Sequence, residues 1–204
     1  MSPSIKITKE EINAFPLKAY EGPVTIVDSD EQLKAILPEL KKEKILGFDT
    51  ESRPSFKKGQ NYPASLIQLC GENHVWLFQV LKLEDKKPLW KVLANNRIIK
   101  AGVAIQDDIK KLQEQLDFRP AGFKEIATLT QQAGILNTGL RSLAGLLLGI
   151  RISKRAQVSN WAKPTLSESQ IQYAATDAWV SRELYMHMLK LKDRSKDPAG
   201  AGKS

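Results

Sequence analysis

The sequence contains one cysteine, Cys70, among 204 residues. No intramolecular disulfide can form, so a buried core must hold the fold, and a reducing cytoplasmic setting is expected. Long apolar runs are missing too. None approaches the ~18 residues that a membrane span needs, so no membrane association is expected. The opening stretch MSPSIKITKEEINAF is charged and has no apolar segment of the kind a secretory signal carries. The body of the chain has no internal repeat and no low-complexity tract. AGVAIQ and GLLLG match neither G-x-x-x-x-G-K-[ST] nor G-x-G-x-x-G. That sets aside nucleotide triphosphatases and dinucleotide enzymes, and with them any nucleotide cofactor. Histidine is scarce as well: His74 and His187 are read as structural or solvated.

Positive charge is plentiful. Lys and Arg outnumber Asp and Glu by 31 to 23, a formal charge of +8. Such a balance favours an anionic partner, of which nucleic acid is the commonest. The length suits one domain with a sizeable core. Residues 1–23 read as an N-terminal extension with one amphipathic patch that wraps the domain edge. Residues 24–191 read as the domain proper. Residues 192–204, with the polar and Gly/Pro/Ser-rich end KDRSKDPAGAGKS, read as a flexible tail.

Within the domain, KILGFD, ASLIQLC, HVWLFQV and RIIKAGV have the pattern of strands, and GEN turns the second into the third. EQLKAILPEL, PLWKVLAN, AIQDDIKKLQEQL and LRSLAGLLLG read as helices. A long helix covers LSESQIQYAATDAWVSRELYMHMLKL, where Ser167 and Gln170 form a capping box. Three strands come first, joined by short turns that favour antiparallel pairing. Strand and helix then alternate, which favours parallel pairing. An α/β domain with a mixed sheet flanked by helices satisfies both.

Three groups of acids stand out. Asp49 and Glu51 are one residue apart in a strand, so they face the same side. Neighbouring carboxylates repel, burial raises that cost, and a hard divalent cation removes it. Asp107 and Asp108 open a helix. Asp108 shares the inward face of Ile105 and Leu112, whereas Asp107 is turned about 100° from it, toward Lys110 and Lys111 at the surface. Tyr173 and Asp177 stand four residues apart on one face of the last helix, among Ala174, Ala175 and Ala178.

Taken in order, ILGFDTES, AGVAIQDDIKKL and SNWAKPTLSESQIQYAATDAW resemble the three motifs of 3′–5′ exonuclease domains of the ribonuclease D and Werner-exonuclease type, the DEDDy branch. SLIQL and SLAGLLLGI match the connecting elements, and Lys154, Ser159 and Trp161 match the stretch before the third motif. The resemblance covers roughly residues 24–190. It implies a ribonuclease-H-like mixed five-stranded sheet and two divalent cations, Mg²⁺ or Mn²⁺, held by Asp49, Glu51, Asp108 and Asp177. In such a site Asp49 bridges the two cations, Glu51 and Asp177 complete the nucleophile side, and Asp108 serves the leaving-group side. Tyr173, with a reference pKa of ~10, orients the attacking water instead of acting as a free base. The implied substrate is DNA or RNA with a free 3′ end, cut to 5′-mononucleotides. Lys57, Lys58, Arg151, Lys154 and Arg155 flank the motifs and are candidates to hold backbone phosphates.

Three other readings stay open at this point. One is a catalytically inactive nucleic-acid-binding module on the same fold. Another is a metal-dependent hydrolase of small nucleotides or esters, and the third is a plain interaction domain that leaves the acids unexplained. Ribonuclease D members often carry helical domains after the nuclease. Only a short tail follows here, which weakens a transfer-RNA-maturation reading.

Overall fold

A computed structural model describes residues 5–55, 57, 60–115 and 117–196. At its centre is a mixed sheet of six strands: β1 (Val24–Val27), β2 (Ile45–Ser52), β3 (Ala64–Cys70), β4 (Val75–Gln79), β5 (Ile99–Gly102) and β6 (Phe123–Glu125). Their spatial order is β1-β4-β3-β2-β5-β6. Strands β2, β3 and β4 pair antiparallel, while β5 joins β2, β6 joins β5 and β1 joins β4 in parallel. The mixed pairing is the one expected, but among the described residues the sheet has six strands and not five. The edge strands β1 and β6, of four and three residues, are too short to show an alternating pattern of their own. A second correction concerns the β2–β3 connection. It spans residues 53–63 and is no short turn.

Alternation along the strands feeds two cores. Leu46, Phe48, Ile67, Leu69, Trp76 and Phe78 face one side, where α2 (Asp30–Leu40), α3 (Lys87–Leu93) and α4 (Gln106–Gln115) cover them. Leu66, Cys70, Val75 and Leu77 face the other side, against α7 (Glu168–Lys196). Cys70 is a core residue whose thiol burial pushes up to about 12. Lys100 breaks the apolar rule. It has no exposed surface, and its ammonium donates to the carbonyls of Asn95 and Ile98, both at 2.7 Å. Burial pulls its pKa down to about 8, and these bonds, with a third to the Val92 carbonyl at 3.4 Å, pin the loop after α3 to β5. His74 is structural: Nε2 bonds Thr25 Oγ1 at 2.8 Å and the ring stacks on Trp76.

The remaining elements are α1 (Lys9–Ala14), α5 (Ile126–Gln132), α6 (Leu140–Leu143) and a π-helical turn, Ala144–Leu148. That turn ends at Gly149, whose φ of 64° few residues but glycine adopt. Residues 5–20 are tied to the domain by bridges and hydrogen bonds. Ile5 bridges Ile135, Leu17 bridges Arg151, and the Tyr20 amide donates to Thr176 Oγ1 at 3.1 Å. Helix α7 continues past residue 191 to Lys196, into the stretch assigned to the tail; residues 197–204 lie outside the described residues.

One glycine fixes how closely α7 lies on the sheet. A Cβ at Gly47 would collide with the carbonyl oxygen of Ala178 and meet the amide of Arg182 at 2.8 Å. Both obstacles are backbone, so nothing short of moving α7 or β2 relieves the clash. Gly47→Ala is expected to cost about 1–3 kcal/mol of stability, as overpacking does. Gly139→Ala, with nothing within 4 Å of the new atom, should stay within about 0.5 kcal/mol. Denaturant unfolding of the two variants checks this; equal stabilities would mean that α7 yields freely.

Candidate active site

Register explains where the acids meet. Strand β5 pairs with β2 only through Ile45, Leu46 and Gly47, and ends at Gly102. The rest of β2 overhangs, so Asp49 and Glu51 project beyond the end of β5 into open space. Val103 and Ala104 floor that space, and α7 walls it with Tyr173, Asp177 and Ser181. The result is a cleft of about 430 Å³ lined by Asp49, Glu51, Asp108, Tyr173 and Asp177 together.

Asp108 arrives from the opposite face of the sheet. Thr50, which lies between the two β2 acids and so points the other way, donates its hydroxyl to Asp108 Oδ1 at 2.6 Å. The turn that launches α4 is held by Glu125, whose carboxylate accepts from the amides of Ala104 at 3.0 Å and Ile105 at 2.9 Å. Those bonds support the left-handed φ of 60° at Ala104, a conformation that costs a non-glycine residue about 1–3 kcal/mol. Asp107 stays outside, 84% exposed and paired with Lys110 at 3.2 Å.

On α7, Ser167 and Gln170 close the capping box: the Ser167 amide donates to Gln170 Oε1 at 3.0 Å and the Gln170 amide to Ser167 Oγ at 3.3 Å. The Gln170 amide group also donates to Ser159 Oγ at 3.0 Å and the Asn160 carbonyl at 3.2 Å. This ties the preceding loop to the helix start and seats buried Trp161 against the Tyr173 ring, 5.9 Å between centroids.

The electrostatics are those of an uncompensated acid cluster. Burial and the charges of Asp177, Glu51 and Asp108 hold Asp49 well above the usual carboxylate range, although the Thr50 amide, at 2.8 Å, pulls the other way. Glu51 is pushed up to about 8 by burial and then by Asp177 and Asp108, with Lys111 offsetting part. Burial raises Asp177 to about 7 against the hydroxyl of Tyr173. Asp108 is raised by burial while Thr50 and Lys111 restrain it. Tyr173 is raised by burial and by the neighbouring Asp177 charge, so it stays a phenol at neutral pH. The donor set is four carboxylates, the chemistry hard divalent cations prefer. Among the described residues no three acidic, imidazole or thiol groups close into a ready metal cage. The acids instead line an open cleft, which fits ions that keep water and substrate oxygens as their other ligands.

Of the basic candidates, Lys154 lines the cleft, whereas Lys57, Arg151 and Arg155 are not among its lining residues; Lys58 lies outside the described residues. Three residues near the site were missed by sequence reasoning. Thr50 was accessible through strand alternation, since it must face away from its two acidic neighbours. Gln68, opposite Asp49 in the β2–β3 register, is fully buried with neither amide atom partnered. Arg141 lines the cleft from α6, and no local pattern marks it.

The raised carboxyl groups fix a pH dependence for the cation-free protein. Unfolded Glu and Asp titrate near ~4.3 and ~3.9, below the folded values of about 8 and 7 for Glu51 and Asp177. The folded state therefore holds the protons more tightly, and stability falls as pH rises from ~4 until both are ionised. In chelator, unfolding free energy should decline between pH 5 and pH 8, and Glu51→Gln should flatten that decline. A variant with the unchanged slope would show that Glu51 is not under this strain.

Comparison with known proteins converges on one family. The 3′–5′ exonuclease family matches residues 24–192. The chain is 34% identical over 134 residues to ribonuclease D of Haemophilus influenzae, covering 65% of this chain and 33% of that protein. It is 33% identical over 156 residues to the bifunctional 3′–5′ exonuclease/ATP-dependent helicase WRN of Mus musculus, covering 73% of this chain and 11% of that protein. The chain thus spans a third or less of the length of these two relatives. Among solved structures, the EXO domain of Aedes aegypti Nibbler superposes with a TM-score of 0.78 at 25% identity, covering 90% of this chain and 94% of that domain. The chain belongs to the 3′–5′ exonuclease family, of the ribonuclease D and Werner-exonuclease type.

Proposed function

We propose that residues 24–191 form an exonuclease domain that removes 5′-mononucleotides from the free 3′ end of a DNA or RNA strand. The observation that carries this reading is the convergence of Asp49, Glu51, Asp108, Asp177 and Tyr173, from three separate elements, on one cleft. Asp49, Glu51, Asp108 and Asp177 would hold two divalent cations, Mg²⁺ or Mn²⁺, which when bound neutralise phosphodiester charge and lower the pKa of the attacking water.

The chain's own residues do the rest. Tyr173 remains protonated, so its work is to orient the attacking water by hydrogen bonding, not to remove its proton as a free phenolate. Trp161 on one side and Asp177 one turn on hold the phenol in place. Thr50 fixes Asp108. Lys154 lies where it can take a backbone phosphate, and Lys57, Lys58, Arg151 and Arg155 stay candidates for further phosphate contacts by charge alone. Cys70 is buried and its thiol disfavours ionisation, so no covalent intermediate is assigned to it. A lone buried thiol also suits a cytoplasmic setting. No described helix is long and apolar enough to cross a membrane.

End-labelled single and double strands of DNA and RNA, with Mg²⁺, with Mn²⁺ and with chelator, test the proposal. Degradation from the 3′ end is expected with either cation and should stop in chelator. Full turnover in excess chelator would overturn the two-cation reading. An inert wild type with retained strand binding would favour a binding module instead.

Three substitutions separate the site residues. Asp108→Asn should nearly abolish cleavage while Asp107→Asn keeps most of it, because only Asp108 reaches the cleft; the reverse outcome would sink the assignment. Tyr173→Phe should lower turnover by roughly 10²-fold or more, the usual loss for a positioned proton-handling group. Single-turnover rates at saturating strand read this directly, and wild-type rates would remove Tyr173 from the mechanism.

A further inference from the structure

Another part of the cleft lining is built differently. It comes from two stretches, Gly139–Ser142 and Ile152–Lys154, and the N-terminal segment is fastened beside both. Near the first, Asn137 Oδ1 accepts from the Ile7 amide at 2.8 Å and its Nδ2 donates to the Ile7 carbonyl at 3.2 Å. Next to the second, Arg151 donates to the Pro16 carbonyl and accepts from the Lys18 amide, both at 2.9 Å. Between these ties, buried Ile12 of α1 packs on Gly145. The exonuclease family match starts only at residue 24, so this strap is an addition to the matched domain that nevertheless shapes its cleft.

Arg141 is the residue the strap touches most tellingly. Its Nη2 donates to Asn13 Oδ1 at 3.0 Å. It lines the same cleft as four carboxylates, yet no ion pair to any of them forms among the described residues. Its Nε is buried with no hydrogen-bond partner. A guanidinium has five donors in a rigid fork suited to phosphate or carboxylate oxygens. Here the neighbouring polar side chain orders that fork without neutralising it, and leaves a buried N–H unmet. Such a group keeps donors that an anion can take up.

We propose that Arg141 is a phosphate-binding residue for the substrate strand, and that the N-terminal strap positions it through Asn13. The proposal rests on the nuclease reading above and deepens it. It divides the cleft by charge: the acids serve the reacting phosphodiester, and Arg141 grips a phosphate of the strand. Lys and Arg contacts to phosphate carry affinity and register, not sequence, so the grip serves strands of any sequence.

Fluorescence anisotropy with 12-nucleotide oligothymidylate and oligouridylate, in chelator to prevent cleavage, tests this on the full chain across a salt series. Each phosphate contact adds ~0.7 to the slope of log affinity against log salt for single strands. Arg141→Gln should lower the slope by about that amount and weaken binding at low salt by about tenfold or more. Arg141→Lys keeps the charge, so its slope should match the wild type. Asn13→Ala leaves the arginine but frees its side chain, so affinity should drop about 2- to 10-fold with the slope retained. Wild-type slope and affinity in Arg141→Gln would overturn the proposal. Wild-type affinity in Asn13→Ala would overturn the role of the strap. If Arg141→Gln melts far below the wild type, Asn13→Ala decides the question, and wild-type affinity in it then overturns the proposal. Cation-dependent cleavage of the same strands by the wild type is measured alongside. Cleavage with an unchanged Arg141→Gln slope defeats this inference alone, whereas no cleavage with any divalent cation defeats the functional reading beneath it.

Discussion

Backbone-to-backbone contact between β2 at Gly47 and α7 at Ala178 governs the geometry of this protein. It brings the last helix directly onto the central strand, so that Asp177 and Tyr173 face Asp49 and Glu51 across a narrow gap. The surrounding sequence serves the same end. Ala174, Ala175 and Ala178 are fully buried against Leu66, Cys70 and Leu77, and only small residues allow a helix to lie this low. A wider spacing would let each acid keep its own water and titrate normally. Close packing is what turns four ordinary carboxylates into a strained cluster.

That strain has a use. Burying like charges is unfavourable, and the fold tolerates it by holding protons on groups that would otherwise be ionised at neutral pH. Glu51 and Asp177 carry that burden most legibly. Lys111 offsets only part of it. On the proposed reading, these carboxylates would exchange their protons for a bound cation, and the repulsion relieved would appear as affinity. The excess of basic residues does not collapse onto the acids. Among the described residues Arg141 lies in the same cleft without an acidic partner, and Lys154 is an exposed residue of its lining. Keeping the two signs apart is what the proposed division of the cleft, cations at the acids and phosphate at Arg141, would require.

Much of the site could be read from near neighbours in the sequence. Two-residue alternation puts Asp49 and Glu51 on one side of a strand, and the structure has them so. A 3.6-residue period buries Ile105, Ile109 and Leu112 and turns Asp108 inward and Asp107 outward. A four-residue interval stacks Tyr173 over Asp177, and the capping box at Ser167 and Gln170 forms as written. The edge strands failed the same test, because three or four residues do not establish a period. Lys100 failed it for another reason: in the strand RIIKAGV a lysine suggests an exposed position, yet carbonyls from the loop between α3 and β5 satisfy its ammonium in the core.

The sequence by itself determined the face of each element on which its acids lie, because that depends only on residues a few positions apart and on the fixed repeats of helix and strand. Tertiary structure alone decided which faces meet. Thr50 reaches Asp108 across 58 residues and Asn13 reaches Arg141 across 128. The overhang of β2 past β5 exists only once those strands pair in register. Such contacts follow from how whole elements pack, and packing is set by the summed shape of both surfaces, to which no short stretch of sequence holds the key.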